Sequence, residues 1–350
     1  MRALRVGRGA LAALLVCGLT TIGGIPISGA ATGPYDAVFV FGDSLSDSGN
    51  VFTYTSVSPL PGVPYAIPPA PYYNGRFTNG PNYADLLTGK LGLGPLTPSN
   101  LGGTNYAWGG ASTGAAIVPG LPVPSILQQI GMFGQTYSQV ADPNALYILW
   151  GGGNDLRDVV TLAQQNPSNA FSVGSAAIDS AVANLHTALL DLQQMGATHV
   201  LVPNVPNLAA APETGYADTN PSFDLRGYAS GLTGAFNAKL DDMLDTFSGL
   251  SIMKLDAYSM FNAILHNPGN YGFTDTVHQC YTGGIFGGGT TCGAPDQFVF
   301  WDDHHPTAAV EKILANAAFA VAVPEPETVV MLALGLLILG FQVRGRDRKG

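Results

Sequence analysis

The residues of this chain best suited to chemistry are a serine near one end and an Asp/His cluster near the other. Ser44 lies in Val38-Phe39-Val40-Phe41-Gly42-Asp43-Ser44-Leu45-Ser46-Asp47-Ser48-Gly49-Asn50. A short apolar run ending at a glycine has the pattern of a buried strand. A serine just past its end falls at the carboxyl edge of a sheet, where open α/β folds place their ligands. Such a hydroxyl is a weak nucleophile and needs a base within hydrogen-bond reach. Asp302-Asp303-His304-His305-Pro306 offers one, because the pKa of histidine lies near neutrality. Asp302 and His305 are three residues apart, so a turn or short helix can bring both side chains to one side. Each half has an ordinary reading. A serine after Gly-Asp is commonly an N-cap or turn residue. An Asp/His cluster is commonly a solvated loop or a metal site.

The elements that must position these residues alternate along the chain. Apolar runs predict strands over 36–41, 144–150, 198–202 and 251–255. Helical spacing is plain from Ala176 to Met195, with apolar positions at Ile178, Val182, Leu185, Leu189 and Leu192 and Gly196 as the stop. Helices are also expected over 228–247, 256–265 and 308–321. Strands alternating with helices predict a parallel sheet covered on both faces. The right-handed crossover then gathers the strand ends and their loops on one edge. Two stretches are too rich in Pro or Gly for regular core elements: Ser56 to Pro81, with Tyr65, Tyr72, Tyr73 and Phe77, and Gly272 to Ala294. The first is expected either to wall a substrate site with aromatic rings or to be a plain surface excursion.

The chain has 350 residues, and its ends differ from its body. Arg2, Arg5 and Arg8 precede an apolar stretch and the small residues Ser28-Gly29-Ala30-Ala31, the order of a secretory signal peptide over residues 1–31. At the other end, Val323-Pro324-Glu325-Pro326-Glu327 leads into an apolar run from Val329 to Val343, then Arg344, Arg346, Arg348 and Lys349. This order resembles the PEP-CTERM sorting signal of Gram-negative bacteria, over residues 323–350. The resemblance implies recognition by an exosortase-type processing enzyme and a transmembrane helix that associates transiently with the membrane. Localisation in the periplasm, outer envelope or extracellular matrix follows, with anchoring until the tail is removed. A permanent anchor is the plain alternative.

Between these ends, residues 32–322 are expected to form one domain. The stretch holds seven basic against 21 acidic residues, a formal charge of −14. A surface so acidic argues against nucleic acid and anionic membranes as partners. Only Cys280 and Cys292 remain there; in an oxidising compartment they are expected to form one disulfide. Two thiols are too few for a cysteine-based zinc site.

Four separated segments resemble the blocks of the GDSL lipases and esterases, the SGNH hydrolases. They are Gly42-Asp43-Ser44-Leu45; Gly103-Thr104-Asn105-Tyr106-Ala107-Trp108-Gly109-Gly110-Ala111; Gly153-Asn154-Asp155; and Asp302-Asp303-His304-His305-Pro306. They occur in the family's order and span the central domain. The resemblance implies an α/β three-layer sandwich, a central, mostly parallel sheet flanked by helices in the flavodoxin-like manner, with long loops. It implies Ser44 as nucleophile, His305 as base and Asp302 as the partner that orients it, with Asp303 and His304 as rivals. For the oxyanion it implies the N–H groups of Ser44 and Gly110 and the amide of Asn154, with Gly109 one register away. Trp108 and Gly75-Arg76-Phe77-Thr78-Asn79-Gly80 also match the family; structural anchoring is expected of Arg76. No metal or organic cofactor is implied. The expected activity is hydrolysis of carboxylic esters, of a lipid or an acylated glycan, through an acyl-enzyme. A carbohydrate acetyl esterase, a non-catalytic matrix or adhesion protein on the same fold, and an Asp/His metal-binding protein are the alternatives.

Overall fold

A computed structural model describes residues 33–63, 65–114 and 121–323. The expected leader, and the Pro-Glu-Pro segment, apolar run and basic tail beyond Val323, lie outside the described residues. Among the described residues no helix is long and apolar enough to cross a membrane.

Four parallel strands form the sheet: β1 (Val38–Gly42), β2 (Leu146–Trp150), β3 (His199–Pro203) and β4 (Ser251–Leu255), in that order. These are the four segments expected from apolar runs. β1 and β2 are buried along their whole length. The other side of β1 is not a bare edge. Val40 N–H donates to the Thr104 carbonyl, and the N–H groups of Tyr106 and Trp108 donate to the carbonyls of Val40 and Gly42. Residues 104–108 therefore run beside β1 as a fifth, short ribbon. The chain goes from β1 to one side of the sheet and then returns to the other. The carboxyl end of β1 is thus the switch point, where doubly wound folds hold their ligands.

Alternate side chains of each strand face opposite layers. Phe39, Phe41, Tyr147, Leu149 and Val200 face α3 (Ile126–Thr136), α4 (Gly153–Gln165), α5 (Ala170–Met195) and α7 (Leu225–Leu244). Val38, Val40, Leu146, Ile148 and Leu201 face α2 (Tyr83–Lys90) and α9 (Ala308–Ala322). Each fully buried aliphatic or Phe side chain contributes about 1.5–3 kcal/mol, so the two faces together hold the three layers. The remaining elements are α1 (Asn50–Val57), α6 (Pro212–Ala217), α8 (Ala257–His266) and a small parallel pair, β5 (Asp275–Gln279) with β6 (Phe298–Phe300).

Several elements differ from the sequence expectation. α1 begins inside the segment expected as a turn, because the Asp47 carboxylate accepts from the N–H groups of Gly49, Asn50 and Val51. α4 begins in Gly153-Asn154-Asp155, three residues that individually favour turns. α5 starts six residues early, where exposed Phe171 and Val173 break the amphipathic pattern. β5 lies within the expected 272–294 loop.

Candidate active site

Ser44 sits two residues beyond β1 in a turn closed by the Ser46 N–H donating to the Asp43 carbonyl. The end of β1 is fixed by a buried glutamine, whose Oε1 accepts from the Gly42 N–H while its Nε2 donates to the Gly42 carbonyl. That residue, Gln129, comes from α3. His305 arrives from the other end of the chain on a tight hairpin. The Trp301 N–H donates to the His305 carbonyl, and the Thr307 N–H to that of Val299. At its tip, Asp302 Oδ1 accepts from the N–H groups of His304 and His305 at 3.0 and 2.7 Å. One carboxylate therefore shapes the turn and faces the imidazole.

His305 Nδ1 lies 2.7 Å from Asp302 Oδ2, and its Nε2 lies 2.7 Å from Ser44 Oγ. Asp302 and His305 are almost wholly buried, at 1% and 2% exposed. Burial alone would raise the Asp302 carboxyl, but the charges of His305 and His304 and the bonds from His305 and Tyr72 hold it well below the ordinary carboxylate range. An ionised carboxylate only accepts, so Nδ1 carries the hydrogen and Nε2 is left to accept from Ser44. Burial pushes the His305 pKa down, Asp302 pulls it up, and neighbouring His304 pushes it down again; the balance is downward. His305 is thus neutral, and able to take a proton, below the ordinary histidine pKa.

His304 faces a different set of partners. Its Nδ1 is 2.7 Å from Asp303 Oδ1, and its ring centroid stands 3.8 Å from that of His305. Burial lowers its pKa, but Asp302 and the bond to Asp303 outweigh this and raise it. Of the two histidines, only His305 hydrogen-bonds Ser44. Two groups of ligand-type atoms lie within metal-binding reach of each other: Asp302, His304 and His305, and Glu213, Asp303 and His304. Both Glu213 oxygens accept from Arg157, at 2.7 and 2.8 Å, and the Nδ1 atoms of both histidines are bonded to carboxylates.

The donors expected for an oxyanion line the cavity beside Ser44. Gly110 and Asn154 border it together with Ser44, Phe77 and His305. Among the described residues, neither the Ser44 nor the Gly110 N–H has an acceptor. Asn154 Nδ2 donates to the Ala111 carbonyl at 2.9 Å, which leaves its second amide hydrogen. Gly110 has φ +82°, a conformation that favours glycine. At Gly109 a side chain would strike the Phe77 ring, 2.2 Å from the Cβ position, and the Gly109 N–H donates to Asp47. Asp155 accepts from the N–H and hydroxyl of Thr113, so it braces the start of α4.

The sequence reading missed several contributors. The Tyr72 hydroxyl donates to Asp302 Oδ2 at 2.6 Å, and the Phe77 ring lies 5.3 Å from the His305 ring. Thr78 Oγ1 donates to the Pro306 carbonyl, and Asn79 Oδ1 accepts from the Ala308 N–H. The 56–81 stretch is therefore the support of the histidine turn. Arg76 does anchor, through a two-bond pairing with Asp85. Asn105 ties the ribbon to the serine turn, donating to the Ser46 carbonyl and to Ser48 Oγ. The signal available was the density of aromatics and the Gly75–Gly80 motif; the partners were 230 residues away.

Two cavities flank Ser44. One, of about 370 Å³, opens between α1, the 56–81 stretch and the loop that the Cys280–Cys292 disulfide closes. The other, about 80 Å³, lies against Leu45, Val205, Leu208, Phe261 and Phe300.

The family described as GDSL-like Lipase/Acylhydrolase matches residues 38–318, and the PEP-CTERM protein-sorting motif matches residues 322–349. The chain is similar to a GDSL esterase/lipase of Arabidopsis thaliana, 26% identical over 319 residues that cover 80% of this chain and 85% of the relative. It is also similar to Lipase 1 of Photorhabdus luminescens, 26% identical over 350 residues, covering 82% of this chain and 50% of that one. Among solved structures, a lipase from a goat rumen metagenome has a TM-score of 0.44 at 14% identity, covering 81% of this chain and 96% of its own.

Proposed function

The chain belongs to the GDSL-like lipase/acylhydrolase family, a family of hydrolases acting on ester bonds, and on that premise we propose an exported serine esterase working through Ser44, His305 and Asp302. The observation that carries this reading is the unbroken relay Ser44 Oγ, His305, Asp302, with both links at 2.7 Å and the carboxylate held ionised.

In this mechanism His305 Nε2 takes the Ser44 hydroxyl proton as Oγ bonds to the ester carbonyl carbon. The negative charge that develops on the carbonyl oxygen is met by the N–H groups of Ser44 and Gly110 and the amide of Asn154. One such donor contributes on the order of 3 kcal/mol of barrier lowering. The C–O bond to the alcohol then breaks, and His305 returns the proton to the leaving oxygen. Water attacks the acyl-enzyme by the same route, His305 taking its proton; the bond from the acyl carbon to Ser44 Oγ then breaks, His305 returns the proton to Oγ, and the carboxylic acid leaves. Asp302 keeps the imidazole oriented and stabilises its cationic form throughout.

The domain is proposed to span residues 32–322, between a signal peptide over 1–31 and the sorting signal over 323–350. The sorting motif supports export in a Gram-negative bacterium and processing by an exosortase-type enzyme, with transient membrane association through the 329–343 run.

Replacing Ser44 by Ala is expected to lower kcat on a 4-nitrophenyl ester by on the order of 10⁴-fold or more, with an unchanged circular dichroism spectrum. A folded variant that retains full turnover would sink the assignment.

A further inference from the structure

The larger cavity beside Ser44 has walls of unusual composition. Leu60 and Ile67, with Gly284, Ile285 and Phe286 of the disulfide loop, line its outer part, and the segments that carry them, 58–74 and 280–295, hold no charged residue. Its lining is apolar, with Val51, Leu60, Ile67, Leu121, Ile285 and Phe286 among the residues that face it. Charge enters only at the inner end, from Arg157, Asp303 and the two histidines. In a body of net −14, such an uncharged outer lining suits an uncharged limb of a substrate.

The outer wall is a closed loop. Cys280 and Cys292 are bonded at its base. Inside it the Tyr281 hydroxyl donates to the Gly288 carbonyl at 2.6 Å, and the Thr290 N–H donates to Thr282 Oγ1 at 3.0 Å. Its tip is tied across the cavity mouth, where the Tyr65 hydroxyl donates to the Phe286 carbonyl at 2.5 Å. Ile285 packs on both neighbouring clusters. On one side it meets the cavity wall of Val51, Ile67 and Phe77; on the other it meets Tyr72, Tyr281 and Trp301, behind the Asp302 turn. Phe286 is half exposed at the rim. A loop cross-linked at its base and bonded at its tip holds its side chains at a fixed distance from Ser44, and so fixes how much chain the cavity admits.

We propose that the disulfide-closed loop between Cys280 and Cys292 sets acyl-chain length, with Ile285 and Phe286 as the wall against which the acyl chain of the ester lies. The assignment to the acyl side rests on room and lining: this cavity is about 370 Å³ against about 80 Å³, its outer lining is apolar and uncharged, and of the proposed donors Gly110 borders this cavity alone while Ser44 and Asn154 border both. The inference rests on the esterase reading above and narrows its substrate class to esters of apolar acids.

The test uses the purified full chain and 4-nitrophenyl esters from acetyl to dodecanoyl, beside alkyl acetates of rising alcohol length. Ile285→Trp, which fills the cavity, is expected to lower kcat/KM for octanoyl relative to acetyl by about tenfold or more, the usual scale for a pocket that loses room. Acetyl turnover of the same variant is the reference against which the octanoyl loss is read. Phe286→Ala is expected to shift the preferred acyl length upward. The double variant Cys280→Ser/Cys292→Ser, with the loop freed at its base, should flatten the acyl profile. Equal losses on acetyl and octanoyl esters with Ile285→Trp, no change on either, or a change confined to the alcohol series would each overturn the assignment. An unmutated protein that hydrolyses none of these esters would instead remove the esterase reading itself.

Discussion

At the scale of single residues, the unusual neighbour is His304, an imidazole stacked beside the one that bonds Ser44. Its pKa is raised, so it carries positive charge where an ordinary histidine is already losing it. That charge disfavours a second positive charge on His305. The other charged groups around the pair are Asp302 and Asp303 on the same hairpin, Arg157 on α4, Glu213 on α6 and Asp43 beyond β1. The carboxylates favour protonated imidazoles and Arg157 opposes them. On the proposed mechanism His305 works only when neutral, so activity is expected to fall as pH drops through its pKa. Replacing His304 by Asn removes one downward push on that pKa, so the acid limb of kcat/KM is expected to move to higher pH. A pH–rate profile measures this directly; an unchanged limb, or one moved to lower pH, counts against the coupling. Purely structural damage would lower the plateau without moving the limb.

Among the elements, the 56–81 stretch shows where sequence reading stops. Its Pro and Gly content ruled out a core strand or helix, and its described residues from Ser58 to Gly80 form only turns and bends. What it does depends on partners at the far end of the chain. Thr78 and Asn79 hold Pro306 and the first N–H of α9, while Phe77 and Tyr72 pack on His305 and Asp302. None of those pairings leaves a periodic trace. The strands were legible because burial on both faces demands continuous apolar runs. The helices α2, α3 and α4 were not, because Gly153-Asn154-Asp155 and the Asn82 and Ser125 caps favour turns as strongly as helix starts. The serine and the Asp/His turn were visible as motifs; Tyr72 was visible only as an aromatic in a loop. Asn79 lends itself to a test at this scale, since it caps α9 from outside the helix. Asn79→Ala is expected to lower stability by about 1 kcal/mol, and to lower kcat as well, because the same contact steadies the hairpin of His305. A denaturant titration beside a kinetic assay would separate the two, and intact values of both would remove Asn79 from this role.

The molecule as a whole is acidic, and several of its carboxyls are buried. Burial pushes Asp43 and Asp47 up to about 6, against the backbone N–H groups that bind their ionised forms. Burial also lifts Glu311, between α2 and α9, well above its usual value. In an unfolded chain these groups titrate near 4. Between those limits the folded protein binds more protons than the unfolded one, so stability rises as pH falls. His304, with its raised pKa, acts in the same direction at higher pH; His305, held neutral, acts in the opposite one. Thermal unfolding by calorimetry is therefore expected at a higher temperature at pH 5.5 than at pH 8, and a lower unfolding temperature at pH 5.5 than at pH 8 would contradict this account. Further down, the Asp302 carboxylate loses its charge and the trend reverses. The separation of Ser44 from His305 has a separate consequence. They meet across 261 residues, the serine before the first helix and the histidine just before the last. On the proposed mechanism, a fragment without Ser44 or without His305 has no turnover. On that mechanism, a chain emerging from a ribosome stays inert until nearly all of the domain has arrived, which would spare the cell a half-made esterase.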